Sequence, residues 1–327
     1  MISKDEHIFV AGSNGMAGSA ICRKLLKKGY GSKSNNGALL SPSRLDLDLS
    51  NKIAVEDWFK KNRPSIVILA AAKVGGILAN ATYPADFLLE NLKIQNNLIE
   101  TSWKYNVKRF LFLGSSCIYP KLSKQPITEE SLLTGALEET NLGYALAKIS
   151  GIKLCEMLRN QYNFDAISLM PTNLYGPNDN YHPENSHVLA SLIKKFSDAV
   201  ASQEMQVTCW GSGSPMREFM HVDDLADAVL FVLEKWNPDS IKSPSDITGK
   251  KLNHLNVGTG KDISIKDLSL KIAKATGFKG QIIWDTQKPD GVFKKQLDIS
   301  RLKNMGWEAK IGLDLGIKQM VKEYQQN

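Results

Sequence analysis

Three glycines near the start of the chain constrain its fold more than any other feature of the sequence. Gly12, Gly15 and Gly18 lie between a short apolar run, His7 to Ala11, and a segment with helical periodicity from Met16 to Lys28. In a strand–turn–helix unit, the first glycine permits a tight turn, the second lets backbone approach a diphosphate, and the third lets helix and strand pack closely. The spacing therefore predicts a dinucleotide-binding loop; the alternative is a tight turn that binds nothing.

Strand-like and helix-like segments alternate through the first half of the chain. Ser65 to Ala72 and Arg109 to Gly114 are apolar runs typical of strands buried on both faces. Residues 84–105 and 141–161 have the periodicity of long amphipathic helices. Such alternation implies right-handed crossovers and a parallel sheet. We predict an α/β fold: a Rossmann-type doubly wound parallel sheet with a smaller α/β substrate-binding lobe formed mainly by the C-terminal half.

The boundaries of these two parts follow from where the regular alternation loosens, after Pro171. The Rossmann domain, which binds the cofactor, is predicted at 1–171, and the chain is expected to return to it at about 202–226 and 252–275. The substrate-binding lobe is predicted at 172–201, 227–251 and 276–327. Within it, the stretch from Trp236 to Lys251 is rich in Pro, Ser, Asp and Gly, which is typical of a surface insertion.

The overall composition excludes several classes of protein. The 327 residues are 43% apolar and 23% charged, which is typical of a globular chain and not of a disordered one. The net charge of +7 is spread along the sequence, so it indicates an anion-binding pocket better than a nucleic-acid-binding arm. Four scattered cysteines have neither disulfide-framework nor metal-site spacing. With no membrane-length apolar run and no recognisable signal peptide, we expect a cytoplasmic protein without a metal.

The end of the predicted second strand indicates which dinucleotide binds. Ser41 and Arg44 stand where NAD-preferring proteins usually carry Asp or Glu. Hydroxyls and a guanidinium group suit a 2′-phosphate, which a carboxylate would repel, so we predict NADP (as NADPH). Asp46 follows closely and either contacts the adenine or serves only as a turn residue. The predicted contacts of the glycine loop are Gly12, Ser13, Asn14, Gly15, Met16, Ala17 and Gly18.

A tyrosine and a lysine four residues apart predict a reductase site. Tyr144 and Lys148 share one helix face, and Ser115 follows a predicted strand. A lysine ammonium group lowers the pKa of a neighbouring phenol and can hold the nicotinamide ribose, so that the tyrosine can protonate a carbonyl oxygen as hydride arrives. The serine hydroxyl can hold the same oxygen. An exposed surface pair is the alternative for Tyr144 and Lys148.

Longer stretches carry a more specific resemblance. They are AAAKVGG at 70–76, TYPADF at 82–87, LGSSCIYPKLSKQP at 113–126, MPTNLYGP at 170–177, NSHV at 185–188, WGSGSPMREFM at 210–220 and KPDG at 288–291. Together with the glycine loop, they resemble the extended short-chain dehydrogenase/reductase superfamily. Within it they are similar to the GDP-L-fucose synthase family, the 3,5-epimerase-4-reductases that act on GDP-4-keto-6-deoxy-D-mannose. The resemblance covers nearly the whole chain.

The resemblance implies a catalytic set of Ser115, Cys117, Tyr144, Lys148 and His187. The C4 ketone of the substrate makes the hydrogens on C3 and C5 acidic, so inversion there needs a base and an acid on opposite faces. The resemblance implies that Cys117 is the base and His187 the acid. Ser115 and Tyr144 would stabilise the enolate, and Tyr144 would protonate O4 during reduction. From the residues alone, a small buried apolar role is the more common one for a residue such as Cys117, and a surface role for one such as His187.

The resemblance also implies further binding residues. Further cofactor contacts are expected at Leu113, Gly114, Ser116, Lys148, Pro171, Thr172, Asn173, Leu174 and His187. Substrate contacts are expected at Lys195, Trp210, Arg217 and Asp290. Two positions depart from the family pattern, since Lys195 and Asn14 stand where arginine is expected. A lysine keeps the charge but loses the fork geometry, and Asn14 leaves Arg44 as the main cation for the 2′-phosphate.

Other functions remain open at this point. A plain nucleotide-sugar 4-ketoreductase, a UDP-hexose 4-epimerase that retains NAD and a GDP-L-colitose synthase would share the scaffold. A nucleotide-sensing protein with an inactive site is a further alternative, against which the Tyr144 and Lys148 pair argues. The superfamily resemblance implies a homodimer packed through the helices at 84–105 and 141–161, although a face buried within the chain would have the same pattern.

Overall fold

The computed structural model describes residues 1–182, 186–288 and 290–326. The strands are β1 (His7–Ala11), β2 (Ala38–Leu40), β3 (Ile66–Leu69), β4 (Arg109–Leu113), β5 (Ala166–Pro171), β6 (Asn173–Tyr175), β7 (Gln206–Trp210), β8 (Met216–His221), β9 (His254–Val257), β10 (Asp262–Ser264), β11 (Gln281–Asp285) and β12 (Lys294–Lys295). The helices are α1 (Met16–Lys27), α2 (Lys52–Asn62), α3 (Ile77–Thr82), α4 (Pro84–Lys104), α5 (Leu142–Tyr162), α6 (Val188–Ala201), α7 (Val222–Lys235), α8 (Ile265–Thr276), α9 (Ser300–Asn304) and α10 (Leu313–Gln326). None of the helices in these ranges is long and apolar enough to cross a membrane.

A six-stranded parallel sheet forms the centre of the molecule. Its strand order is β2-β1-β3-β4-β5-β9, and every neighbouring pair is parallel. The residues of β3, β4 and β5 are all buried, as expected for strands covered on both faces. The predicted α/β class with a Rossmann-type parallel sheet is therefore confirmed.

Alternate residues of each strand face two different helix layers. In β1, Ile8 and Val10 belong to the apolar cluster with α1 and α7, whereas Phe9 and Ala11 belong to the cluster with α2, α4 and α5. This alternation follows from the two-residue repeat of a strand. Both clusters consist of fully buried aliphatic and aromatic side chains, so the edge of the sheet that carries the strand ends is held rigidly.

The second half of the chain adds smaller sheets and a third apolar cluster. Strands β10, β8 and β12 form one sheet with β6 paired to β8, and β11 pairs with β7. Helices α6, α8 and α10 pack together through Phe196, Leu268 and Ile317. The sequence does not reveal β6, β8, β10, β11 and β12, because they are short and carry polar residues without a clear repeat.

The division into two lobes stays a prediction. Among the described residues, helix α7, strand β7 and helix α8 pack differently from what the predicted boundaries imply. Helix α7 packs on the central sheet with α1, and Trp236, Leu302 and Trp307 join the same cluster. Strand β7 and helix α8 instead lie in the third cluster. The reason is that α7 has a largely apolar buried face that matches the sheet, whereas β7 is buried only at Val207 and Cys209.

The long helices lie close to their predicted bounds. Residues 84–105 and 141–161 were expected, and α4 and α5 are found, packed against each other. The expected insertion after α7 contains one isolated bridge, between Ser245 and Lys251. Its first residue, Trp236, is buried and donates from Nε1 to Ser243 Oγ over 3.0 Å, which ties the insertion to the sheet side of the molecule.

Candidate active site

A cavity of about 1170 Å³ lies at the carboxyl ends of the central strands. Every predicted catalytic and substrate-binding residue lines it, and so does every predicted cofactor residue except Ser41 and Asp46. The carboxyl ends of parallel strands, next to the first glycine-rich turn, are where ligands bind in doubly wound sheets. The cavity is continuous from the glycine loop to β8 and β12.

The glycine loop leaves room for a phosphate group. Gly12 has φ +86°, and a Cβ there would lie 2.7 Å from the Cα of Ala71. A Cβ at Gly18 would overlap the carbonyl oxygen of Gly12, whereas at Gly15 the nearest atom is 3.5 Å away. Gly15 begins α1 without a side-chain cap, so the first amides are left for a ligand. Ser13 Oγ is buried and has no partner among the described residues. These features fit a dinucleotide diphosphate.

The end of β2 places Arg44 on the cavity wall but not its two predicted neighbours. Asp46 Oδ2 accepts hydrogen bonds from Ser43 N at 3.0 Å and Ser43 Oγ at 2.7 Å, so it closes a turn. Ser41 is exposed and does not line the cavity. Ser41 and Asp46 therefore do not line this cavity, and their assignment to the cofactor stays a prediction. Asp48, farther along, does line the cavity.

A single turn of 3₁₀ helix, Ser116–Ile118, follows β4 and orients the proposed base. Ser115 caps this turn, and its Oγ accepts a hydrogen bond from the N–H of Cys117 over 3.2 Å. Cys117 is half-buried on the cavity wall. Lys295, which the sequence does not suggest, donates from Nζ to Cys117 Sγ over 3.2 Å.

Opposing effects set the acidity of Cys117. Burial alone would raise the pKa of the thiol, because a low-dielectric surrounding disfavours the thiolate. The charge of Lys295, the hydrogen bond with Ser115 and the charge of Arg217 outweigh burial, so the pKa of Cys117 lies below its usual value. A thiolate is the form that can remove a proton, so this site suits a base.

Tyr144 and Lys148 both line the cavity, but the expected coupling between them is not found. Burial raises the pKa of Tyr144, the negative charge of Cys117 raises it further, and a hydrogen bond with Ser115 lowers it only partly. Lys148 Nζ donates to the carbonyl of Leu113 over 2.8 Å and lies 5.8 Å from the centre of the Tyr144 ring. Burial lowers the pKa of Lys148 to about 7. Tyr144 is therefore a neutral phenol at neutral pH, which is the form of a proton donor.

His187 stands at the N-terminus of α6 and faces the cavity. Desolvation by the surrounding protein lowers its pKa, because the charged imidazolium loses water. The imidazolium is consequently the minor form at neutral pH. Asn185, from the same sequence motif, lies outside the described residues.

The far end of the cavity carries an aromatic ring between cations. The Trp210 side chain is 51% exposed, with Lys195 Nζ 5.5 Å and Lys288 Nζ 5.3 Å from its ring centre. Lys195 also donates to the carbonyl of Thr208 over 3.1 Å, which fixes its direction. An exposed tryptophan flanked by ammonium groups suits a planar, anionic ligand such as a nucleotide.

Arg217 and Asp290 lie between that ring and Cys117. Arg217 lines the cavity, and its Nη1 donates to the carbonyl of Met216 over 2.9 Å. The carboxylate of Asp290 accepts from Ser212 N and Oγ, both at 2.7 Å. Pro289, between Lys288 and Asp290 in the KPDG motif, lies outside the described residues.

Sequence reasoning missed several residues of the site. Lys295 reaches it through the pairing of β12 with β8, which no local pattern reveals. Lys73, within the quoted AAAKVGG stretch, also lines the cavity, where its Nζ contacts Glu90 at 2.5 Å. The position of Lys73 inside a quoted motif could have identified it as a site residue. No sequence pattern marks Lys295.

Comparison with known sequences places the chain among nucleotide-sugar enzymes. The sequence model of the NAD dependent epimerase/dehydratase family matches residues 8–247. The chain is 50% identical over 327 residues to the putative GDP-L-fucose synthase 2 of Arabidopsis thaliana, covering 100% of this chain and 94% of that one. It is 48% identical over 322 residues to the GDP-L-fucose synthase of Escherichia coli strain K12, covering 98% and 97%.

A solved structure has a similar fold. The GDP-mannoheptose C4 reductase from Campylobacter jejuni with NADP bound superposes with a TM-score of 0.87. It is 35% identical to this chain, and the match covers 99% of this chain and 100% of that one. This chain therefore has the same fold as a reductase whose structure contains NADP.

Proposed function

The chain belongs to the NAD dependent epimerase/dehydratase family, and we propose that it is an NADPH-dependent GDP-L-fucose synthase. The reaction is C3 and C5 epimerisation of GDP-4-keto-6-deoxy-D-mannose, followed by reduction of C4. The observation that carries this proposal is the meeting of Ser115, Cys117 and Tyr144 on one wall of the cavity, with His187 on the same cavity. A base, a proton donor and an oxyanion partner are thus available to one ketone.

NADP is the cofactor that the site fits. The glycine loop from Gly12 to Gly18 would hold the diphosphate, Arg44 the 2′-phosphate and Lys148 the nicotinamide ribose. When bound, NADPH supplies the hydride that reduces the C4 carbonyl. The relatives named for GDP-L-fucose synthesis and the NADP-bound reductase support this assignment.

Epimerisation uses the thiolate of Cys117 as base. It removes the proton from C3 or C5, and the electron pair of that C–H bond forms an enolate whose oxygen is O4. Ser115 and Tyr144 stabilise the negative charge on O4 by hydrogen bonds. His187 then returns a proton to the opposite face of the same carbon. Because the imidazolium of His187 is the minor form at neutral pH, reprotonation is favoured on the acidic side.

Reduction uses the same oxygen partner. Tyr144, neutral at neutral pH because its pKa is raised, gives its proton to O4 when the carbonyl becomes an alkoxide. The nucleoside diphosphate lies towards Arg217, Lys195 and Trp210, where cations and an exposed ring suit it. Asp290 is held on the same wall by Ser212.

We also propose a cytoplasmic homodimer. Large apolar side chains are exposed on both long helices: Leu89 on α4, and Leu146 and Met157 on α5, are between 40% and 61% exposed. Paired helices from two copies of the chain would cover them. The four cysteines are free, which suits the reducing cytoplasm.

Incubation with GDP-4-keto-6-deoxy-D-mannose and NADPH in deuterated water tests the proposed reaction. We expect NMR of the product to show GDP-L-fucose with deuterium at both C3 and C5, because both protons exchange with solvent. A C4 reductase, as the Campylobacter jejuni relative is named, would consume NADPH without placing deuterium at either carbon. That result would overturn the proposed epimerase activity. Cys117→Ser is the matched variant: it should lose epimerisation but still reduce an already epimerised ketone.

A further inference from the structure

A lysine that the proposed reaction does not use lies directly against the proposed base. Lys295 Nζ donates to Cys117 Sγ over 3.2 Å. Within residues 1–182, 186–288 and 290–326, this is the one hydrogen bond of the Lys295 ammonium group, and no carboxylate oxygen lies within 4.0 Å of it. Lysines that lose water on folding are usually paired with carboxylates. This half-buried lysine is paired with a thiol instead.

The backbone of Lys295 is fixed on both sides. Strand β12 runs parallel to β8, with Lys295 opposite Arg217. The N–H of Leu297 donates to Glu218 Oε2 over 2.8 Å, and the N–H of Gln296 donates to Gln125 Oε1 over 2.9 Å. The ammonium group is therefore presented to Cys117 by a strand that pairs with β8 and by a following segment whose backbone N–H groups are bonded to Gln125 and Glu218.

The charged and titratable groups around Cys117 come from four elements. Lys295 on β12 and Arg217 on β8 are cations, Tyr144 on α5 is a neutral phenol, and Ser115 caps the turn that carries the sulfur. Asp290 and Glu138 act electrostatically on Arg217.

Two cations thus oppose the effect of burial on the thiol. Burial by itself would raise the pKa of Cys117. The two cations and the Ser115 hydrogen bond together lower this pKa below its usual value. Lys295 is the larger of the two cationic contributions, because its ammonium group touches the sulfur.

We propose that Lys295 is a positioning residue for the catalytic base, whose ammonium group holds the sulfur of Cys117 as a thiolate on the cavity wall. The inference rests on the proposed function, which assigns Cys117 as the base. In each epimerisation the thiolate accepts the proton from carbon and becomes a thiol, while the C–H electron pair enters the enolate. Lys295 remains an ammonium ion throughout and favours renewed loss of the thiol proton before the second inversion.

Alkylation of the full-length protein by iodoacetamide, followed by peptide mass spectrometry across a pH series, tests the pair without any substrate. In Lys295→Met we expect the midpoint of Cys117 alkylation to rise by about one pH unit, since an adjacent opposite charge shifts a pKa by about 1–3 units. The rate at pH 7 should then fall about tenfold. Cys22, whose pKa burial raises to about 11, is an internal reference that should not change.

Two further variants make the result specific. Lys294→Met removes the neighbouring ammonium group of the same strand, which contacts Asp262 Oδ2 at 3.2 Å, and should leave the Cys117 profile unchanged. Lys295→Arg keeps the positive charge and should restore most of the low midpoint. An unchanged midpoint in Lys295→Met, or an equal shift in Lys294→Met, would overturn the inference. If Lys295→Met fails to fold, Lys295→Gln provides the same comparison.

A second readout separates positioning from substrate contact. In deuterated water, the C3 and C5 exchange rate of Lys295→Met should be most impaired at low pH and should recover as pH rises, because the thiolate then forms without the lysine. An equal deficit at every pH, or a rise in KM alone, would contradict the inference. Unlabelled product from the wild-type protein would refute the proposed function, yet leave the alkylation result valid.

Discussion

The two ends of the cavity are built in opposite ways. At the cofactor end, the wall is mainly backbone: Gly12, Gly15 and Gly18 leave space, and the N-terminus of α1 presents free amides. At the substrate end, the wall is mainly side chains on short strands, such as Arg217 on β8 and Lys295 on β12. The first wall comes from seven consecutive residues of the chain, whereas the second joins residues far apart in sequence.

This difference shows where each end is vulnerable. A backbone cradle fails when any Cβ is added, whichever side chain follows it. A wall of side chains fails when the contacts that hold its strands are lost. Glu218 provides such contacts: its carboxylate accepts from the N–H groups of Thr259 at 2.6 Å, Gly260 at 2.8 Å and Leu297 at 2.8 Å.

The largest effect is expected from Gly18→Ala at the cofactor end. The new Cβ would overlap the carbonyl oxygen of Gly12, so we expect unfolding in urea to show a loss of about 3 kcal/mol, with NADPH binding lost as well. Gly15→Ala is the matched control, because its Cβ would meet only the Gly12 oxygen at 3.5 Å. It should weaken NADPH binding and leave stability nearly unchanged. Equal stability of the two variants would contradict a wall set by backbone packing.

A smaller effect is expected from Glu218→Gln at the substrate end. Both carboxylate oxygens of Glu218 accept hydrogen bonds, whereas a glutamine side chain has one oxygen acceptor and one nitrogen donor. At least one backbone N–H would therefore face the side-chain N–H₂ group. We expect the free energy of unfolding to fall by about 2 kcal/mol. NADPH binding, measured by fluorescence titration, should be retained. The exposed carboxylate of Glu308 provides the control, since Glu308→Gln should change stability by less than about 0.5 kcal/mol. Loss of NADPH binding in Glu218→Gln would show that the two ends are not independent.

The smallest effect concerns Arg44, the side chain proposed to hold the 2′-phosphate at the cofactor end. Arg44→Asp should raise the KM for NADPH relative to that for NADH roughly tenfold, because a charged hydrogen bond to the 2′-phosphate is replaced by repulsion. Steady-state kinetics with both cofactors measure this ratio. Lys33→Asp changes the net charge equally at an exposed site away from the cavity and should leave the ratio unchanged. A ratio that is the same in wild type and Arg44→Asp would show that the 2′-phosphate is held elsewhere.

Local patterns were sufficient for the central sheet and most of its helices. Continuous apolar runs predicted β3 and β4, and each bound of α4 and α5 lies within one residue of the bound expected. Strands β6, β8, β10, β11 and β12 were not predicted. A short strand with polar side chains, such as Lys294–Lys295, has no repeat that distinguishes it from a loop.

The candidate site divides in the same way. The glycine loop, Tyr144 and Lys148 were found from spacing, because their chemistry requires residues close together in the chain. Ser41 and Asp46 were assigned to the cofactor from position alone, and the turn closed by Asp46 keeps them off the cavity wall. The pKa of Tyr144 is raised by burial, which the spacing of Tyr144 and Lys148 does not reveal.

The sequence by itself determined the class of fold, and its local spacing predicted the cofactor loop and the Tyr144 and Lys148 pair. Each of these depends on steric or chemical requirements that act over a few neighbouring residues. Only the tertiary structure decided the charge state of those side chains, since burial and distant cations set it. The contact between Cys117 and Lys295, which are 178 positions apart, exists because β12 pairs with β8, and the formation of that pair depends on the packing of the whole chain.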